Sequence, residues 1–385
     1  MTVKPTLLVS KYFDSNIKGY VDKTKGTESF LEEIKQIYGL EKILKFDLGE
    51  NPEGPSPTLI DELKKFIRNL SLISEYPDSS YLRLREELAK FYGVKLENIT
   101  VGTGSNELIE RISRLWIEQG TKVIFPIPSF YRIEDAILRF GGVPVYIQLK
   151  DEENYQWTEN TTNELIRTAK ETKSKLIWLV TPNNPAGGII PLEEIQKIIE
   201  KNKDCIIIVD EAFGEYIDSY RKPYSAINLI KSGIGNILVT RTFSKIYGLA
   251  GLRLGYCVGS NELIKLLERI RMEFAVNAVA EKLAIAALRD QEYIEKIRKK
   301  TSQRRKLLEN SLDKIEGIKY YPSQTHIMLI KHKSKNLYNY LLKEGILVAT
   351  MEISGLEGKN YIRITIRNEE ENNILINAIK KFFGI

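Results

Sequence analysis

TRTFSKIYGLAGLRLGY, residues 240–256, is the stretch that decides the fold. It starts at the end of an apolar, β-branched run (236–240) and leads into a second apolar run (255–259). This pattern predicts two strands joined by a glycine-rich loop. Within that loop, Gly248 and Gly251 allow the backbone to approach a bound molecule closely.

The same loop carries a lysine among groups that bind phosphate. Lys245 follows the hydroxyl residues Thr242 and Ser244, and Arg253 comes eight positions later. Two hydroxyl groups and an arginine can bind a phosphate while the amine performs covalent chemistry. We therefore expect this loop to form part of an active site; the alternative is a loop lysine that is merely solvated.

The composition is that of a globular protein larger than one domain. With 385 residues, of which 43% are hydrophobic and 28% charged, the chain predicts one large and one smaller domain. No apolar run approaches the roughly 18 residues of a membrane span, and the apolar stretch at the N-terminus is too short for a signal peptide. We expect a cytoplasmic protein that has no membrane partner.

Metal and nucleic-acid chemistry find little support in the sequence. His326 and His332 offer too few ligands for a metal site, and Cys205 and Cys257 lie in apolar runs typical of buried thiols. The net charge of +6 is a small excess of 57 basic over 51 acidic residues. The basic tract 296–306 spreads over most faces of its predicted helix, which favours a solvated face over an RNA or DNA surface.

Strands alternate with helices along the middle of the chain. Predicted strands lie at 99–102, 122–127, 143–149, 175–181 and 205–210, with helices between them that include 162–172 and 191–202. Such alternation predicts βαβ units and a mostly parallel sheet that is covered on both faces. In this α/β architecture ligands bind at the carboxyl ends of the strands.

The C-terminal part predicts a second, smaller α+β domain. After the lysine loop, helices are predicted at 261–274 and 277–315, the second long enough to span both lobes. Strands follow at 326–331, 346–350 and 361–367, with fewer helical crossovers than in the middle of the chain.

Several candidate ligand-binding residues follow predicted strands. Gly104, Ser105 and Asn106 begin a helix, whose free N–H groups could bind an anion; a plain helix cap is the alternative. Phe130 could lie flat on an aromatic ligand or belong to the core. Asn184 lies between turn-forming residues and could either face a ligand or serve the turn alone.

Asp210 is the strongest of these candidates because it ends an apolar strand, Ile206–Asp210. A buried carboxylate costs several kcal/mol unless a partner satisfies it. A pyridinium nitrogen at about 4 Å would gain roughly 4 kcal/mol at an effective dielectric of 20. This attraction would raise the pKa of the pyridine nitrogen by about 3. The pyridine ring would then stay protonated at neutral pH and act as an electron sink.

From about Leu40 to the C-terminus, the order of these motifs resembles fold-type-I enzymes that use pyridoxal phosphate (PLP), most closely the histidinol-phosphate aminotransferase group. The resemblance rests on eight ordered matches, namely Gly49–Pro57 (GENPEGPSP), Tyr76–Asp78 (YPD), Gly102–Glu107 (GTGSNE), Pro126–Phe130 (PIPSF), Thr181–Gly188 (TPNNPAGG), Val209–Phe213 (VDEAF), the lysine loop and Arg363–Asn368 (RITIRN).

The resemblance implies a role for each candidate residue. Lys245 forms a Schiff base with the cofactor and moves a proton, and Asp210 holds the ring nitrogen. Arg363 grips the carboxylate or phosphate of the substrate, while Asn51 and Tyr20 line the entrance. The remaining residues implied in cofactor binding are Ser105, Asn106, Phe130, Asn184, Thr242, Ser244, Arg253 and, from the second subunit of a homodimer, Tyr76.

The implied activity is transfer of an amino group between glutamate and an oxo acid or imidazole-acetol phosphate, as in histidine biosynthesis. The substrates are small molecules. The implied domains are an N-terminal arm (1–40), a large PLP-binding domain (58–276) and a small domain formed by 41–57 with 277–385.

Three positions depart from the group's pattern. Phe213 replaces a tyrosine, so Asn184 would bind the phenolic oxygen of the cofactor alone. Ala349 stands where many members have an arginine that helps hold the substrate's phosphate. Arg367 replaces a glycine. Phe213 and Arg367 also resemble L-threonine-O-3-phosphate decarboxylases, which gives the alternative function.

Overall fold

The computed structural model describes residues 27–69, 71–217, 224–334, 336–358 and 360–385. Tyr20 lies outside this range, so its predicted role at the entrance stays a prediction. Within the described residues, no helix combines the length and the apolar character needed to cross a membrane.

A seven-stranded sheet forms the centre of the large lobe, in the order β2-β8-β7-β6-β5-β3-β4. The predicted, mostly parallel sheet is confirmed, because only the pairs β2–β8 and β7–β8 are antiparallel among these neighbours. Its strands are β2 Ile99–Gly102, β3 Lys122–Ile127, β4 Val143–Gln148, β5 Leu176–Val180, β6 Ile206–Asp210, β7 Ile237–Thr242 and β8 Gly255–Gly259.

The helices cover the sheet and link it to the small lobe. They are α1 Thr27–Tyr38, α2 Leu59–Arg68, α3 Ser71–Ser74, α4 Leu82–Tyr92, α5 Ser105–Trp116, α6 Tyr131–Arg139, α7 Glu159–Thr172, α8 Leu192–Lys201, α9 Ile227–Lys231, α10 Asn261–Arg269, α11 Ala278–Arg289, α12 Gln291–Leu312, α13 Leu337–Lys343 and α14 Glu369–Phe383.

Helices bury both faces of the sheet. Neighbouring residues of each central strand point to opposite sides, so each strand contributes apolar side chains to both layers. On one side, Ile207 packs with α4, α7, α8 and α11. On the other, Trp178 and Ile208 pack with α5, α6 and α10. This packing explains the continuous apolar runs of the sequence, such as the one in β6, whose polar residue Asp210 comes at the end of the strand.

The small lobe contains a four-stranded antiparallel sheet in the order β12-β13-β10-β9 and a separate parallel pair. Its strands are β1 Leu44–Lys45, β9 Ile318–Tyr320, β10 Ile327–His332, β11 Ile346–Leu347, β12 Ala349–Thr350 and β13 Tyr361–Thr365. Phe46 is fully buried in the core of this lobe with Met328, Ile364 and Leu375. The domain boundaries given above stay a prediction.

The helix predicted at 277–315 is wrong in one respect: it breaks at Asp290 into α11 and α12. The Asp290 side chain accepts a hydrogen bond from the backbone N–H of Tyr293 at 3.1 Å and so caps α12. It also accepts hydrogen bonds from Ser56 and Thr58. Helical periodicity alone could not reveal a break at which one helix follows another without a loop.

Candidate active site

A cleft of about 530 Å³ opens where the strands of the large sheet end and the small lobe approaches. It brings together ten residues that the sequence predicted for the site, and these are Ser105, Asn106, Phe130, Asn184, Asp210, Thr242, Ser244, Lys245, Arg253 and Arg363. Nine of them lie at or just after the carboxyl ends of β2, β3, β5, β6 and β7, where a mostly parallel sheet binds ligands, and Arg363 comes from β13 of the small lobe.

Lys245 lies in the loop after β7 and extends into the cleft. Its Nζ donates a hydrogen bond to the carbonyl of Leu48 at 2.7 Å. Burial lowers the pKa of the amine to about 8, helped by the nearby cations Arg363 and Arg253. A lysine with this pKa is partly neutral near pH 7.5, so it can act as a nucleophile and as a base.

Asp210 ends β6 and is 2% exposed. Its Oδ1 accepts hydrogen bonds from the hydroxyl of Thr240 and the backbone N–H of Ala212, both at 3.1 Å. Burial nevertheless raises the pKa of the carboxyl to about 6, although the donors and Lys245 lower it. The carboxylate therefore lacks a close neutralising cation, which a protonated ring nitrogen would supply.

Replacing Asp210 with asparagine is expected to stabilise the ligand-free protein above pH 6. Because the folded-state pKa of about 6 exceeds the ordinary 3.8, the stabilising contribution of the carboxyl is fully present below pH 3.8 and lost as the pH rises through 6. The variant's advantage in unfolding free energy should grow by roughly 3 kcal/mol between pH 4 and pH 8. Urea unfolding of both proteins measures it, and a pH-independent difference would contradict the assignment.

A cradle for a dianion forms beside Lys245. The Nη1 of Arg253 donates to the hydroxyl of Ser244 at 3.2 Å. A Cβ at Gly104, which has a φ of 84°, would lie 2.5 Å from Nη2 of Arg253, so the guanidinium fits there only because the residue is glycine. Helix α5 begins at Ser105 without a side-chain cap, which leaves its first N–H groups to bind an anion.

Arg363 reaches the cleft from β13 of the small lobe. Its Nη1 donates to Oδ1 of Asn184 at 2.7 Å, and its Nη2 donates to the carbonyl of Asp47. Burial lowers the pKa of this guanidinium to about 10. Because Asn184 uses its oxygen on Arg363, its N–H₂ group is the part that can bind an oxygen of a ligand.

Two predicted site residues lie elsewhere. Asn51 does not line the cleft; its side-chain amide donates to the carbonyls of Ile246 at 2.8 Å and Gly54 at 3.0 Å and so joins two loops. Tyr76 is 82% exposed and its ring contacts that of Phe274 at a tilt of 36°, with the centroids 4.7 Å apart. Tyr76 does not line the cleft of its own chain, and its binding to the cofactor of a second subunit stays a prediction.

The structure also locates the three departures from the family pattern. Phe213 lines the cleft, with its ring centroid 5.6 Å from Nζ of Lys245. Ala349 pairs with Arg363 across β12 and β13. Arg367 forms an ion pair with Glu371 at 2.8 Å and donates to the carbonyl of Lys45. These contacts lie within the small lobe, and Arg367 does not line the cleft.

Sequence reasoning missed Glu50, Tyr131 and Arg132, which also line the cleft. Arg132 lies only two positions after the predicted Phe130, in the first turn of α6, and this proximity was the available signal. It also missed Arg241, buried behind the site, which bridges Glu211 at 2.5 Å and Glu215 at 2.7 Å.

These residues fit PLP. The buried carboxylate of Asp210 suits the ring nitrogen, the N–H₂ of Asn184 suits the phenolic oxygen, and the cradle around Arg253 suits the phosphate. When bound, PLP supplies an electron sink and an aldehyde for the Lys245 amine.

Comparisons with known proteins agree with this geometry. The chain is 36% identical to a histidinol-phosphate aminotransferase of Caldicellulosiruptor saccharolyticus, covering 91% of this chain and 95% of the relative. It is 33% identical to one of Brevibacillus brevis, covering 91% and 93%. Among solved structures, the histidinol-phosphate aminotransferase of Sinorhizobium meliloti in complex with PLP aligns with a TM-score of 0.81 at 23% identity, covering 91% and 94%.

The L-threonine-O-3-phosphate decarboxylase of Porphyromonas gingivalis aligns with a TM-score of 0.73 at 25% identity, covering 89% of this chain and all of that one. The family model described as aminotransferase class I and II matches residues 41–379. This match confirms the predicted fold class, the aminotransferase activity and PLP as the cofactor. The chain belongs to the class I and II aminotransferases.

Proposed function

We propose that this enzyme exchanges an amino group between glutamate and a phosphorylated oxo compound, as a histidinol-phosphate aminotransferase does. The observation that carries the proposal is one cleft in which Lys245, with a pKa of about 8, lies with Asp210 and Arg363. Relatives named histidinol-phosphate aminotransferase, 33% and 36% identical over 91% of the chain, support the choice of substrate.

Each residue has a defined task in this reaction. The neutral amine of Lys245 takes a proton from the reacting carbon and returns it. Asp210 would hold the proton on the ring nitrogen of PLP, and the N–H₂ group of Asn184 would bind the phenolic oxygen. Arg363 exchanges its contact with the carbonyl of Asp47 for the carboxylate of the substrate.

The enzyme is also proposed to be a homodimer. Large apolar side chains are exposed in the segments near Tyr76 and its partner Phe274 in the sequence, including Ile67 at 66%, Ile73 at 64% and Met272 at 76%. A second copy would cover them and place Tyr76 at the neighbouring cleft. Sedimentation should show a dimer of 44.3 kDa chains. A cytoplasmic location stays a prediction.

Half-reaction spectra test the activity. Glutamate should convert the bound cofactor to its pyridoxamine absorbance, and imidazole-acetol phosphate should reverse the change. The alternative, a decarboxylase, has Phe213 in the cleft in its favour. It predicts release of CO₂ from L-threonine-O-3-phosphate with no pyridoxamine absorbance. That outcome would replace the proposed transamination.

Arg132 is expected to favour substrates that carry a second anionic group. Its nearest ionic partner among the described residues is Asp135 at 3.8 Å, too far for a hydrogen bond, and burial raises the pKa of that carboxyl to about 6. Arg132→Gln should raise KM for an oxo-phosphate about tenfold and leave KM for a neutral oxo acid nearly unchanged. The control is Arg139→Gln, on the same helix but outside the cleft. Equal effects on both substrates would refute the expectation.

A further inference from the structure

The segment 47–49 presents three consecutive backbone carbonyls to side chains of the cleft and its wall. The first accepts a hydrogen bond from Arg363, and the second accepts one from Nζ of Lys245 at 2.7 Å. The third pairs with Nε2 of His326 at 3.0 Å. Two of the three partners are the cationic residues assigned to the reaction, while His326 does not line the cleft.

We propose that His326 is a positioning residue, which holds the third carbonyl and thereby keeps the segment 47–49 against Lys245 and Arg363. The inference rests on the proposed function only in taking Lys245 as the reactive amine. It assigns no proton transfer to His326 itself, because the ring nitrogen nearest the site is occupied by the backbone of Gly49.

The ring of His326 is well suited to hold a fixed position. It is fully buried, stacks on Tyr216 at 4.0 Å with an interplanar angle of 16°, and meets the edge of Phe213 at 4.6 Å. A carbonyl can only accept, so Nε2 must carry the proton, and Nδ1 has no hydrogen-bond partner among the described residues. Burial lowers the pKa of the ring well below its usual range, so the ring is neutral.

Gly49 lies beside the side chains of both His326 and Lys245. Its φ is 72°, a conformation that favours glycine. A Cβ placed there would lie 3.0 Å from Nε2 of His326 and 3.5 Å from Nζ of Lys245. The side chains of His326 and Lys245 therefore both lie beside Gly49. A shift of Gly49 would also move the adjacent carbonyl of Leu48, which accepts the hydrogen bond from the Lys245 amine.

If His326 no longer holds the segment 47–49, water should reach the amine of Lys245. Burial is the largest cause of the low pKa of Lys245, followed by Arg363, while Glu50 raises it; Arg253 has a smaller lowering effect and Asp210 a smaller raising effect. The ring of Phe213 faces the amine from the other side. Water would replace the carbonyl as acceptor and reduce burial, so the net change is towards the ordinary pKa of lysine.

Two variants separate the hydrogen bond from the packing. His326→Phe keeps an aromatic ring but removes the donor, whereas His326→Gln keeps an N–H donor near the position of Nε2 but removes the ring. Trace acetylation of the cofactor-free protein across pH, quantified at residue 245 by mass spectrometry, gives the pH midpoint of the amine without any measurement of activity. The exposed Lys64 serves as an internal reference.

In His326→Phe the pH midpoint for acetylation of Lys245 should move upward, which leaves roughly tenfold less neutral Lys245 amine at pH 7. In His326→Gln this midpoint should stay close to that of the wild type. An unchanged midpoint in folded His326→Phe, or a shift in His326→Gln alone, overturns the proposal. If His326→Phe does not fold, the ¹⁵N shifts of the wild-type ring decide, since a proton on Nδ1 or a charged ring also overturns it. Failure of the transamination assay leaves these results unaffected.

Discussion

Replacing Lys245 with alanine is expected to lower kcat for amino transfer by roughly 10⁴-fold, the upper range for loss of a general acid–base group. It is the one lysine among the described residues that line the cleft, and its pKa of about 8 lets it gain and lose a proton near neutral pH. Borohydride should also fail to fix the cofactor to the chain.

Lys245→Arg is the matched variant, because it keeps a positive charge that cannot be given up. It should be impaired about as severely as the alanine variant. Lys64→Ala, which removes an exposed lysine that does not line the cleft, should behave as wild type. A kcat for Lys245→Ala above a tenth of the wild-type value would show that another group moves the proton.

Asp210→Asn should lower kcat by roughly 10³-fold. Loss of about 4 kcal/mol of attraction at about 4 Å lowers the pKa of the ring nitrogen by about 3, so the ring is mostly unprotonated at neutral pH. The change that is expected to stabilise the ligand-free protein thus removes the activity. This opposition is typical of residues that are kept for chemistry rather than for stability.

A cofactor analogue provides the control. With carbon in place of the ring nitrogen, there is no proton for Asp210 to hold. Wild type and Asp210→Asn loaded with this analogue should then have similar, low activities. If Asp210→Asn still loses about 10³-fold with the analogue, the carboxylate acts in some way other than through the ring nitrogen.

The sequence predicted the large lobe well because its signals are local. An apolar run that ends in a polar residue, such as Ile206–Asp210, reports both the buried strand and the edge at which ligands bind. The glycine-rich loop around Lys245 similarly reports a backbone that must approach a ligand. Topology then brings these ends together, since parallel strands place their carboxyl ends on one side of the sheet.

Contacts between distant segments could not be predicted in the same way. Nothing near Asn51 in sequence indicates that its amide binds the carbonyl of Ile246, and nothing near His326 indicates Gly49. These pairs lie 195 and 277 residues apart. The Asn51 contact depends on how the two lobes pack, and the His326 contact depends on how distant segments of the small lobe pack. A pattern confined to neighbouring residues carries no trace of either.

The pairing of β1 with β11 determines when the small lobe can fold during synthesis on the ribosome. Leu44 pairs with Ile346, and Phe46 bonds through its backbone to Leu347 and Thr365, so the earliest part of the small lobe waits for the last part to emerge. Until then the carbonyls that Lys245 and Arg363 use have no fixed position. The cleft is therefore completed only after the chain has been translated as far as Thr365.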